Sequence, residues 1–138
     1  METASAIFKV LSDVTRLRVA VLLAVHGETC VCTLAEALNE PECKISRHLA
    51  IMRSAGVVTA RREGTWMHYR LAEPSHELER RLHDCLRDCL SNYEVAEADS
   101  SRLALSTRVC AAGKSWGQED AQQGCSTVQH CTYPIGRV

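Results

Sequence analysis

The sequence predicts a mainly α chain with one small β-hairpin, folded as a helix-turn-helix followed by a wing. Three observations predict this. Two short segments with one apolar face, about residues 31–38 and 42–54, flank the turn-forming Asn39-Glu40-Pro41. A β-favouring run, Trp66-Met67-His68-Tyr69-Arg70-Leu71, follows soon after. Between and around them lies a basic block: residues 44–70 carry Lys44, Arg47, Arg53, Arg61, Arg62 and Arg70 against Glu63 alone.

Taken in order, Ala6, Ile7, Val10 and Leu11 recur at helical spacing in a first short helix. Ser12-Asp13 then caps a buried helix over residues 14–25, which ends at Gly27. Leu34 and Leu38, four apart, mark a two-turn helix. Pro41 cannot extend it, so the chain turns before a second helix whose Ile45, Leu49 and Met52 share a face. Residues 57–61, a turn at 62–65 and residues 66–71 make the hairpin, with arginines at its tip and Trp66 in the core. From Pro74, Leu78, Leu82, Cys85, Leu86, Cys89, Leu90 and Tyr93 form a long apolar stripe. A domain this small cannot cover both this stripe and the N-terminal one, so pairing of the two across a two-fold axis predicts a homodimer through the N- and C-terminal helices. Periodicity fades after about Glu97. The expected organisation is therefore one DNA-binding and dimerisation domain over 1–97 and a flexible, cysteine-containing tail over 98–138.

Composition bounds the class. With 138 residues, 46% hydrophobic and 24% charged, the chain is one globular domain rather than a disordered one. The longest apolar run, residues 19–25, is far short of a membrane span, and no signal peptide is evident, so a cytoplasmic protein without a membrane partner is expected. The net charge of −1 hides strong segregation: −3 over 1–43, +5 over 44–70, −5 over 71–100 and +2 beyond. A single basic block in a near-neutral chain is the footprint of a local polyanion contact.

Several linked motifs carry a family likeness. Leu11-Ser12-Asp13-Val14-Thr15-Arg16-Leu17-Arg18, Glu28-Thr29-Cys30-Val31-Cys32-Thr33-Leu34, Lys44-Ile45-Ser46-Arg47-His48-Leu49 and Gly64-Thr65-Trp66-Met67-His68-Tyr69-Arg70-Leu71 stand in the order and spacing of the ArsR/SmtB metalloregulators. The second of these resembles the metalloid-binding segment of the arsenic-responsive branch. The resemblance covers roughly residues 5–95 and implies a winged-helix homodimer that represses an arsenic-resistance operon until its inducer arrives. Two positions depart from the pattern: Ala35 stands where a third cysteine often follows, and Cys43 where a proline is expected.

The inducer implied is trivalent arsenic (arsenite) or antimonite, with Cys30 and Cys32 as ligands, because soft ions select thiolates. Eight cysteines in a cytoplasmic chain fit soft-ion or redox chemistry better than a disulfide framework. A helix N-terminus favours the reactive thiolate. Residues two apart do not face each other on a regular helix, so holding both sulfurs on one atom is expected to distort the first turn and disturb DNA reading. Trivalent arsenic favours three sulfurs, and the third ligand stays open: a tail cysteine such as Cys110, an exogenous thiol or hydroxide, or Cys43. A monomethylated arsenical needs only two. Cys85 and Cys89, one turn apart, are either interface packing or a second thiolate site.

Operator DNA is the expected partner. Lys44, Ser46 and Arg47 fall in the first turns of the recognition helix, with Arg47 the base reader. His48 is placed for phosphate or base, and Arg61 and Arg62 of the wing for phosphate or minor groove. Two other readings stand beside this one. The same fold can act as a thiol redox sensor. An enzyme reading, cysteine phosphatase or arsenate reductase, rests on Cys131 and Arg137 with five residues between, but such a loop needs a following helix N-terminus and a single residue remains. Ala112-Gly113-Lys114-Ser115 lacks the first glycine of a nucleotide loop, since Arg108 holds that position. No enzyme and no organic cofactor are expected.

Overall fold

A computed structural model describes the backbone of residues 1–111 and the side chains of residues 1–106. Six α-helices and three strands follow in the order α1 (Glu2–Leu11), α2 (Val14–His26), β1 (Thr29–Cys30), α3 (Val31–Leu38), α4 (Glu42–Ser54), β2 (Val58–Glu63), β3 (Trp66–Leu71), α5 (Glu77–Asp88) and α6 (Glu94–Ala111), with a 3-10 turn at Leu90–Asn92. The architecture is a winged helix-turn-helix, as the sequence predicts. None of the described helices is long and apolar enough to cross a membrane.

Local chemistry explains the boundaries. The Asp13 carboxylate accepts the Arg16 N–H at 3.0 Å and caps α2. Asn39 closes α3 in the left-handed region (φ 54), where Asn is tolerated, and the Glu40 N–H reaches back to the Ala35 carbonyl. Pro41 then serves as N-cap of α4, whose Ile45, Leu49 and Met52 are fully buried. These three pack with Val19, Leu22, Leu34, Val58 and Leu86 in one core.

The wing is tighter than expected. Glu63 pairs directly with Trp66, leaving Gly64-Thr65 as a two-residue loop. Gly64 has φ 60 while Thr65 does not enter the positive region, which is the II′ turn that glycine permits. Trp66 is exposed rather than core, because the hairpin tip projects beyond the helices and no element covers it. The sheet has a third strand that the sequence did not announce. β1, two residues long, pairs antiparallel with β3 in the order β1-β3-β2. Two residues are too few to show alternation.

The C-terminal half holds two further features. The stripe from Pro74 to Tyr93 spans two elements, since α5 ends at Asp88 and the chain turns through Leu90–Asn92. The next helix crosses the boundary expected at 97. α6 runs unbroken from 94 to 111 and packs along α3, burying Ala96, Asp99, Leu103 and Ser106. Its inner face carries an acid and a serine, so hydropathy does not reveal it. The Asp99 carboxylate accepts from Arg18 Nε at 2.7 Å and Nη2 at 2.8 Å, and also from Arg102. Arg18 and Arg102 in turn donate to the carbonyls of Leu38 and Ala37, so the C-terminal end of α3 is pinned by both arginines. The remaining tail, with Cys125, Cys131 and the loop ending at Arg137, lies outside the described residues.

Candidate functional site

Cys30 is not inside α3 but is its N-cap, extended at φ −77 and ψ 155, and it is also the last residue of β1. Cys32 is the second residue of the helix. An N-cap side chain folds back over the first turn of its helix. That geometry brings the two sulfurs to 2.7 Å from one another, with Thr33 Oγ1 3.0 Å from the Cys30 sulfur. The two sulfurs therefore face one another across a regular first turn. The rule that i and i+2 point apart applies within a helix, and Cys30 stands one residue outside it.

The pair is half-buried and electrostatically asymmetric. A hydrogen bond from Cys32, assisted by the hydroxyl and backbone N–H of Thr33 and by His68, holds the Cys30 thiol well below the ordinary range. The hydrogen bond to Cys30, with burial, pushes Cys32 up. One proton shared between two sulfurs leaves a thiolate poised on Cys30. Among the described residues no group of three or more His, Cys, Asp or Glu side chains comes together as a metal site. Cys43 thus does not join the pair: it sits at the start of α4, with the eight-residue α3, about 12 Å long, between the two helix starts.

The thiol segment is tied to the wing. Cys30 is register partner of His68 on β3, and Thr29 of Tyr69. Glu28, just before β1, accepts from Arg61 Nε at 2.9 Å, while Arg61 Nη1 donates to Glu63 at 2.9 Å. Arg61 therefore points along the sheet into two carboxylates in this conformation. Arg62, beside it, donates to the Gly64 carbonyl and is exposed.

On α4, Arg47 is exposed and Ser46 half-buried. Lys44 Nζ lies 2.8 Å from Glu40. His48 is turned inward, with Nδ1 3.8 Å from the Asp13 cap, and burial lowers its pKa. On α5, Cys85 and Cys89 are exposed and share a side-chain hydrogen bond, with burial and then Cys89 pushing the Cys85 thiol up. Sequence reasoning missed Thr33 and His68 as neighbours of the thiols. The i, i+3 spacing of Cys30 and Thr33, an N-cap and N3 pair, was the available signal.

A helix-turn-helix with a two-stranded wing, carrying a thiol pair at its first helix, defines a DNA-binding regulator class. Comparison with known proteins places the chain within it. Residues 13–60 match the family model described as bacterial regulatory protein, arsR family. The chain is 48% identical over 101 residues to the arsenic resistance transcriptional regulator ArsR2 of Pseudomonas putida, covering 73% of this chain and 85% of that one. It is 50% identical over 66 residues to the arsenical resistance operon repressor of Escherichia coli, covering 48% of this chain and 56% of the relative. It is also similar to reduced HlyU from Vibrio cholerae, with TM-score 0.53 and 26% identity over 61% of this chain and 85% of that one. The chain belongs to the arsR family of bacterial regulatory proteins.

Proposed function

We propose that this chain is a homodimeric transcriptional repressor of an arsenic-resistance operon, released from its operator when trivalent arsenic or antimony is captured by Cys30 and Cys32. The observation that carries this reading is the contact of the two sulfurs at 2.7 Å on the N-cap of the first helix of the helix-turn-helix. Each sulfur supplies one thiolate to a soft acceptor. Capture replaces the shared proton by two sulfur bonds and re-sets the N-cap, which also ends β1 and so reaches the wing through the β1–β3 ladder. A ligand preferring one arrangement of this joint shifts the DNA-competent population. Arg47, Ser46 and Lys44 read and hold the major groove, and Arg62 and Arg61 the backbone. The names of the arsenical relatives support the inducer class.

The test is operator binding by fluorescence anisotropy under reducing conditions, titrated with arsenite or antimonite. Release is expected with the native chain and lost in the Cys30→Ser, Cys32→Ser double variant. Release that persists in the double variant overturns the site. Sulfur contact at this distance also favours a second reading, in which hydrogen peroxide oxidises the two thiols to a disulfide and is itself reduced to two waters. Release by peroxide but not by arsenite would establish that reading instead.

A further inference from the structure

We propose that His48 is a proton-linked phosphate contact: its imidazole bridges the Asp13 carboxylate and a DNA phosphate, and takes up a proton when the duplex binds. This contact belongs to the DNA-binding reading above and rests on it. His48 Nδ1 is buried and has no hydrogen-bond partner, the one such side-chain nitrogen or oxygen among the described residues. Buried polar groups are almost always satisfied, so an orphan of this kind calls for a cause. Asp13 Oδ1 stands 3.8 Å away, about 1 Å beyond an ordinary hydrogen bond. Asp13 is fixed independently of the histidine, because its carboxylate accepts the Arg16 N–H at 3.0 Å as the cap of α2.

The other ring nitrogen faces a different environment. Nε2 is not buried and makes no hydrogen bond among the described residues, and the His48 side chain keeps 17% of its surface accessible. On α4, Lys44 stands one turn before His48 and Arg47 directly beside it, so the open edge of the ring adjoins the cations assigned to DNA. A phosphate oxygen and a carboxylate are both acceptors. A neutral imidazole has one N–H and donates to only one of them; spanning both requires the imidazolium, with two N–H donors. In the free protein burial holds the His48 pKa below 6.5; Asp13 and Glu40 oppose that shift, and Arg16 and Lys44 add to it. A phosphate at Nε2 supplies a further anion and tips the ring to its charged form. The free state is thus neutral with the Nδ1 bond unmade. The bound state is charged with both bonds made, and one proton per protomer passes from solvent to the ring. Because the bound state holds more protons, affinity rises as pH falls from the raised bound pKa toward the lowered free one.

The experiment follows fluorescence anisotropy of a labelled duplex from the promoter of this chain's own gene, with the full reduced chain at constant ionic strength, from pH 8 to pH 6.5. The native affinity is expected to rise by about tenfold for a dimer with two such contacts, since each unit of raised pKa gives up to a factor of about ten per site. His48→Gln, whose amide donates to phosphate at every pH, should stay flat within about twofold. Asp13→Asn keeps the ring and the cap, because Asn caps as well as Asp, and should cut the gain to about threefold. A native affinity that is flat with pH overturns the proposal. So does the full gain surviving in Asp13→Asn, or in His48→Gln, where it would assign the proton to His68 of the wing. A native chain that binds no duplex at either pH overturns the DNA-binding reading itself, which is a different result.

Discussion

Arg18 and Asp99, 81 residues apart, form a two-point ion pair with Nε–Oδ2 at 2.7 Å and Nη2–Oδ1 at 2.8 Å, and the Asp99 side chain is 1% exposed. The pair joins α2 to α6 across the C-terminal end of α3. Removing one partner of such a pair leaves a buried charge uncompensated, which costs about 3–5 kcal/mol. Arg18→Ala, which leaves the buried Asp99 carboxylate with the half-exposed Arg102 as its remaining cation, is therefore expected to lower the stability of the fold by about 3 kcal/mol, read from the urea midpoint. An unchanged midpoint would show that α6 is not part of the cooperative unit.

Alkylation should single out Cys30. Its thiol is held well below the ordinary range by the Cys32 hydrogen bond, whereas Cys85 is pushed up by burial and Cys89. At pH 6.5, iodoacetamide followed by peptide mass mapping is expected to label Cys30 ahead of Cys85. Cys32→Ala removes the hydrogen bond and should shift the labelling profile of Cys30 to higher pH. Equal rates at both cysteines would contradict the asymmetry.

Acid should weaken the fold through His26, His48 and His83. Burial lowers the pKa of His26, His48 and His83 from 6.5, so the folded state keeps them neutral while the unfolded chain takes up protons first. At His48, Asp13 and Glu40 oppose the shift and Arg16 and Lys44 add to it. Their contribution is complete above pH 6.5 and is lost as pH falls toward the folded values. The urea midpoint should drop between pH 7.5 and 5.5, and His48→Gln should flatten that drop. A midpoint that rises on acidification would reverse the sign.

The DNA-reading residues separate by salt dependence. Arg47→Ala should cost about 1–3 kcal/mol on the operator and relax base discrimination. Arg62→Ala should weaken operator and random DNA alike and reduce the salt slope by about 1. Loss of discrimination in Arg62→Ala would move base reading to the wing.

Glu28 should compete with DNA for Arg61. Because Arg61 is engaged by Glu28 and Glu63, Glu28→Gln should release it to phosphate. An exposed pair is worth up to about 1 kcal/mol, so DNA binding should tighten by about twofold to fivefold at low salt and converge with the native chain at high salt. Weaker binding in this variant would show that the pair orders the wing for DNA.

The sequence by itself determined the helix-turn-helix, the wing and the core. Periodicity at Leu34 and Leu38 and at Ile45, Leu49 and Met52, the stop at Pro41 and the turn glycine at 64 are local signals, and local signals survive in one dimension. Cys30 and Cys32 were legible as a pair for the same reason. Tertiary structure decided what depends on who packs against whom. It made Cys30 a cap rather than a helical residue, through two residues of β1 paired with β3. It turned His48 inward to Asp13 and left Trp66 outside. It also carried the domain past residue 97, because Asp99 and Ser106 are buried by partners 81 and 70 positions away, and no hydropathy pattern marks a polar residue as core.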